Sequence, residues 1–157
     1  MITRREMMKS IGIGSTLFAA GVLGALASAD EAASVEPAIA GAKGVTVKKL
    51  FDYPLEEVPG HNAVVVRVDL APGASAPPHH HPGSVIGYVL SGRVRIKIDP
   101  EAVTDYKQGE LWYEPPKAVH HVTANMSKTE PAAILAYMIV PHGEPLTTPE
   151  KRSRKSK

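Results

Sequence analysis

Seven histidines stand in a chain with no cysteine, and five of the seven fall into two short clusters, His79-His80-His81 and His120-His121. Imidazole at that density without thiolate confines any transition-metal chemistry to nitrogen and oxygen donors. It also excludes a disulfide framework, zinc fingers, thiol catalysis and Cys-held iron–sulfur clusters. On an extended strand His79 and His81 project to one face, their Cα atoms about 7 Å apart, while His80 projects to the other. Two imidazoles so placed can converge on one ion. His120 offers a third, on a later segment that sheet pairing can bring alongside.

The elements that must position these side chains are short strands. Val64, Val66, Val68 and Leu70 alternate with Val65, Arg67 and Asp69, and Val94, Ile96 and Ile98 alternate with Arg93, Arg95 and Lys97. A period of two sends one face into a core and the other toward water. Further strands are expected over 45–51, 84–90, 103–106, 110–114, 120–125 and 132–140, with Ser91-Gly92 as a hairpin turn. Most of the 14 prolines lie between these runs, which argues against long helices. About eight short strands in one domain imply an all-β sandwich or small barrel over residues 45–145.

The two ends have a different character. Thr3-Arg4-Arg5-Glu6-Met7-Met8-Lys9 precedes an apolar, small-residue run to Ala27, and Ala27-Ser28-Ala29 is a small-x-small cleavage pattern. A charged start, apolar centre and small-residue exit over residues 1–29 predict a secretory signal peptide, and the paired arginines predict the twin-arginine (Tat) type. The competing readings are an ordinary Sec signal and an uncleaved anchor, against which the run is glycine-rich and weakly hydrophobic for a stable membrane span. A periplasmic or secreted location follows. Residues 30–44 are an Ala-, Gly- and Ser-rich linker, and residues 146–157 a basic, disordered tail. The whole chain carries 18 Lys and Arg against 16 Asp and Glu, a net charge of +2. Removing residues 1–29 takes away three basic residues and one acidic one, leaving 15 of each. Five of those basic residues lie in the last seven positions, so the body from Asp30 to Glu150 is acidic. A nucleic-acid partner would need the opposite bias.

Two segments resemble the paired motifs of the cupin superfamily, in particular its small exported single-domain members. In the first, Gly73, His79, His81 and Gly92 match the pattern Gly, five residues, His-x-His, three residues, Glu, six residues, Gly. In the second, Gly109, Pro115 and His120 match, Lys117 stands where glycine is usual, and Asn125 comes one residue late. The resemblance covers roughly residues 62–140. It implies a jelly-roll β-barrel, commonly a homodimer, with a divalent metal held by His79, His81 and His120.

One departure from the motif matters for the chemistry. The metal-binding glutamate of the first motif falls on Val85, which cannot donate to an ion. The donor set is then three histidines, or three with a substitute carboxylate. Glu114, just before Pro115, is the candidate, as a fourth ligand or as a catalytic base. The Pro-Pro pair interrupts the alternation there, so an exposed strand-end charge is the competing reading. Strand parity puts Val85, Gly87 and Val89 on one side, an apolar wall with room at Gly87. Trp112, Tyr88, Tyr113 and Tyr137 are candidate lining for a small-molecule cavity, or ordinary packing. His61, His80, His121 and His142 are expected at the surface.

Three neutral imidazoles leave open positions on Fe(II), Mn(II), Ni(II), Cu(II) or Zn(II), and the donor types do not choose among these metals. Such a site suits a dioxygenase-type oxidoreductase acting on a small organic molecule. The alternatives are a non-catalytic cupin that binds a small ligand or metal, and a metal-assisted isomerase or hydrolase. A barrel whose histidines merely hydrogen-bond is the remaining reading.

Overall fold

A computed structural model describes residues 42–150. The expected signal peptide, the linker up to residue 41 and the basic end from residue 151 lie outside the described residues. Eleven strands follow one another with no helix among those residues: β1 (Val45–Pro54), β2 (His61–Leu70), β3 (Ser75–Ala76), β4 (His79–His80), β5 (Ser84–Ser91), β6 (Arg93–Ile98), β7 (Thr104–Lys107), β8 (Leu111–Glu114), β9 (Val119–Asn125), β10 (Ala132–Pro141) and β11 (Thr148–Pro149). No helix of these residues is long and apolar enough to cross a membrane.

The strands form two antiparallel sheets of a cupin jelly roll. One has the order β1-β2-β10-β5-β8, the other β11-β4-β9-β6-β7, with β3 also pairing β9. The period-two runs set their inner faces. In β6, Val94, Ile96 and Ile98 are buried while Arg93, Arg95 and Lys97 are not, and in β2 Val64, Val66 and Leu70 are buried. Gly92 turns β5 into β6 with φ 74°, and a Cβ there would lie 2.7 Å from the Pro131 carbonyl oxygen, so only glycine fits this hairpin.

β3 and β11 are absent from the sequence reading, which places His79 and His81 on extended chain where β4 lies; the three have two residues each, too few to show a periodicity of their own. β11 matters most. Thr148 pairs with His80 and Pro149 with His79, so residues 146–150, assigned to the tail on sequence, run along the strand that carries the first histidines.

The interior divides along its length. At one end Val45, Leu70, Val89, Trp112 and Ile134 of the five-stranded sheet meet Val94, Ile96 and Ile98 of the other in a filled core. At the other end Val64, Val66, Val85, Ala136, Met138 and Val140, all from the five-stranded sheet, form a second apolar cluster. Facing that cluster, the opposite sheet presents imidazoles instead of aliphatic side chains.

Candidate metal centre

Two short strands aim the histidines. His79 pairs with His120 across β4 and β9, which brings the two motifs side by side. Parity then acts as the spacing predicts. His79 and His120 are each 3% exposed and His81 9%, whereas His80 turns outward to Glu150, and His121 to Asp99. The imidazole centroids of His79 and His120 lie 4.8 Å apart, those of His79 and His81 5.1 Å, and those of His81 and His120 5.4 Å.

The ring nitrogens facing away from the cluster are occupied. His79 Nδ1 donates to the Pro77 carbonyl at 2.8 Å, and His81 Nδ1 donates to the Leu146 carbonyl at 2.6 Å. A carbonyl can only accept, so in the neutral rings both Nε2 atoms keep a free lone pair. Burial holds both rings neutral, pushing His79 down to about 4 and His81 below the usual histidine value. His120 Nδ1 lies 3.1 Å from Thr123 Oγ1.

Glu114 completes the group. It is only 4% exposed, at the end of β8 and directly opposite Val85 of β5. The carboxylate missing from position 85 is thus supplied one strand across, by the residue paired with it. Trp112 Nε1 donates to Glu114 Oε1 at 2.7 Å, and Glu114 Oε2 lies 2.6 Å from His120 Nε2 and 3.6 Å from His81 Nε2. Burial pushes the carboxyl up, but the closeness of His120, then His81, and the Trp112 N–H outweigh it and hold Glu114 below its ordinary value.

Donor atoms of His81, Glu114 and His120 all fall within 4.8 Å of one another. Yet Glu114 Oε2 and His120 Nε2 are buried with no hydrogen-bond partner. The His81 Nε2 lone pair and the Glu114 Oε2 oxygen, both buried and 3.6 Å apart, repel unless a cation lies between them. The residues therefore fit a divalent metal. Two nitrogens and one carboxylate oxygen lie within 4.8 Å of one another, with the His79 ring beside them but outside the group, and nitrogen and oxygen donors of this kind suit a first-row transition ion.

The metal centre borders a cavity of about 350 Å³. Val45, Val47, Val66, Val68, Ile134, Ala136 and Met138 form one wall, and Pro145, Leu146, Thr147 and Pro149 from the segment at β11 complete the lining. Of the aromatic and wall residues expected there, Trp112 lines the cavity. Val85 and Val89 do face inward but belong to the packed clusters. Gly87 offers no room, because a Cβ there would meet the Trp112 ring at 2.2 Å, and the indole occupies that space. Tyr113 is 58% exposed and Tyr137 38%, each following an inward residue and so turned to the outer face, where Tyr88 also lies. His61 and His142 sit near Asn62 and Pro59, away from the cluster. Asn125, late in its motif, is a structural fastener: its Nδ2 donates to the carbonyls of Leu70, Ala71 and Glu130, and its Oδ1 accepts from Ser127 N.

Sequence reasoning missed Thr123, Leu146 and Thr147. Thr123 carries a weak signal, since it lies three residues beyond His120, but the segment at β11 shows no pattern that ties it to the histidines.

Comparison with known proteins agrees with this architecture. The family described as "Cupin domain" matches residues 66–140. Germin-like protein 3-1 of Oryza sativa subsp. japonica is 38% identical over 91 residues, which are 53% of this chain and 40% of that protein. Germin-like protein 5-1 of the same plant is 34% identical over 117 residues, 64% of this chain and 48% of its own length. The chain thus spans less than half the length of the curated relatives it matches. Among solved structures, a cupin-like protein from Thermotoga maritima is similar with a TM-score of 0.55 and 24% identity, covering 73% of this chain and 82% of that one.

Proposed function

We propose, on the premise that this chain carries a cupin domain on a jelly-roll barrel, that it holds a divalent transition metal through His81, His120 and Glu114, with His79, whose ring lies 4.8 Å from that of His120, as the further ligand. In this reading it is a dioxygenase-type oxidoreductase acting on a small organic molecule. The observation that carries the metal assignment is the pair Glu114 Oε2 and His120 Nε2, buried 2.6 Å apart without a hydrogen bond.

When bound, the ion supplies Lewis acidity and, if redox-active, electron transfer to a coordinated oxygen donor. The chain's own residues do the rest. The Pro77 and Leu146 carbonyls fix the tautomers of His79 and His81. Trp112 fixes one oxygen of Glu114 and leaves the other toward the ring nitrogens. The valine wall gives the reacting atoms an apolar surrounding on the side of the five-stranded sheet. An exported location, cleavage after Ala29 and a homodimer belong to the same reading, supported by the sequence of residues 1–29 and by the cupin resemblance.

Anaerobic purification followed by elemental analysis and oxygen-uptake screening tests the proposal. The wild-type chain is expected to carry about one transition-metal equivalent. His79→Ala, His120→Ala and Glu114→Gln should each weaken retention by about 100-fold or more, while His80→Ala should not. A wild-type chain without stoichiometric metal, or equal loss in His80→Ala, sinks the metal centre. Stoichiometric metal with no oxygen uptake on any substrate selects the non-catalytic binding cupin.

A further inference from the structure

The chemical class of the ligand can be read from the cavity wall. Of the side chains that line it, eleven are Val, Ile, Ala, Met, Leu or Pro, and none is Lys, Arg, Asn or Gln. The polar lining consists of the three histidines, Glu114, Trp112, Thr123 and Thr147; the inward atoms of the histidines and Glu114 belong to the proposed metal site. Trp112 Nε1 donates to Glu114, Thr123 Oγ1 faces His120 Nδ1 at 3.1 Å, and Thr147 Oγ1 lies 3.5 Å from His81 Nδ1. Outside the proposed metal site no charged group of the wall is left to hold a second charged end of a ligand, and the Thr147 hydroxyl is a neutral exception.

Charge balance points the same way. Three neutral imidazoles and one carboxylate leave a divalent ion with one uncompensated positive charge. One anionic oxygen donor neutralises it. A compact dianion would place an excess negative charge against valine and methionine with no cation in reach, and burial of an unpaired charge is strongly unfavourable. Size agrees as well, since a dry cavity of about 150 Å³ accepts a benzene ring and this one measures about 350 Å³.

We infer that the cavity binds a ligand with a single neutral or monoanionic oxygen head and an apolar body the size of a small ring system, and that it discriminates against compact dicarboxylates. The head-group part rests on the metal reading above, whereas the body rests on the wall alone.

The test uses the full chain loaded with Co(II), its stoichiometry measured by elemental analysis, and four probes: 4-ethylbenzoate, 4-ethylphenol, acetate and oxalate. Calorimetric titration and the cobalt absorption band should show 4-ethylbenzoate binding at least about tenfold more tightly than acetate or oxalate. Oxalate binding as tightly as 4-ethylbenzoate overturns the inference. If the chain retains no cobalt, the metal reading falls, and 4-ethylphenol decides the apolar body by itself: a raised Tm of the cobalt-free protein sustains it, and no effect overturns it. Ala136→Phe should fill the cavity and abolish binding of both ethyl probes with cobalt content unchanged. Should that variant fail to fold, half-buried Val47 on the edge strand provides the second arm. Val47→Arg brings a cation to the wall and should erase the preference over oxalate, while an unchanged preference counts against the inference.

Discussion

The two ends of the barrel are built from the same strands and do opposite things. β10 gives Ala132 to the filled end, Ile134 to the boundary where that cluster meets the cavity, and Ala136, Met138 and Val140 to the other end. At the filled end, aliphatic side chains of both sheets interdigitate. At the other, the five-stranded sheet keeps its apolar face, but β4 and β9 oppose it with His79 and His120. The difference teaches that the cavity is no defect of packing. It lies where one sheet exchanges aliphatic for imidazole side chains, and the filled end behind it makes the frame rigid.

Substitutions can break or sharpen that contrast. The largest effect is expected from Leu70→Ala, which removes a fully buried side chain from the filled end and leaves a void that cannot collapse, at a cost of about 3 kcal/mol. Met138→Ala removes similar bulk beside an existing cavity, so only the transfer term is lost, about 1.5 kcal/mol. Chemical denaturation of the two variants measures both values, and equal losses would erase the distinction between the ends.

A smaller effect, of opposite sign, is expected at the turn that joins Glu114 to His120. Lys117 adopts φ 63°, a left-handed conformation that costs a residue bearing a Cβ. Its amide donates to the His81 carbonyl at 2.8 Å, so the turn cannot relax without releasing the first motif from the second. Lys117→Gly should stabilise the protein by about 0.5 kcal/mol, the steric relief exceeding the added entropy of the unfolded chain. A thermal melt showing a lower Tm would mean that the lysine side chain contributes more than its backbone costs.

The smallest effect belongs to the outer face, which the contrast leaves out. Arg95 pairs with Asp105 at 2.7 and 2.9 Å in the open, and its hydrogen bonds hold the carboxyl below its ordinary value. Asp105→Asn should lower Tm by less than about 1 °C near neutral pH. Because the folded value is depressed, the difference is present above the unfolded value and fades as pH falls below about 4. A difference that persists in strong acid would show that the pair does not act through charge.

Much of this layout was legible in the sequence. Alternation of Val94, Ile96 and Ile98 with Arg and Lys gave the inner face of β6, and the spacing of His79 and His81 gave their common side. Both follow from local geometry, where the period of a strand is enough. Glu114 was not legible in the same way. Its orientation depends on β8 pairing with β5 in the register that sets it opposite Val85, and register is fixed by the whole sheet. The outward Tyr113 and Tyr137 follow from parity once Trp112 and Ala136 are known to face inward, a rule that outranks the preference of aromatic rings for cavities. The segment at β11 gave no sign because two residues of strand carry no period, although it supplies the carbonyl that orients His81.

The crowding of Glu114 Oε2 against His120 Nε2 has a consequence for the economy of the fold as well as for the site. A chain that folds around this contact without an ion carries two unsatisfied buried atoms, and an ion that binds only the folded form relieves both. If the proposed ion binds the folded form alone, folding and metal supply are linked by mass action, each tenfold excess of free ion over its dissociation constant adding about 1.4 kcal/mol to the folded state. Under that linkage the stability of the fold rises with the metal concentration around the chain.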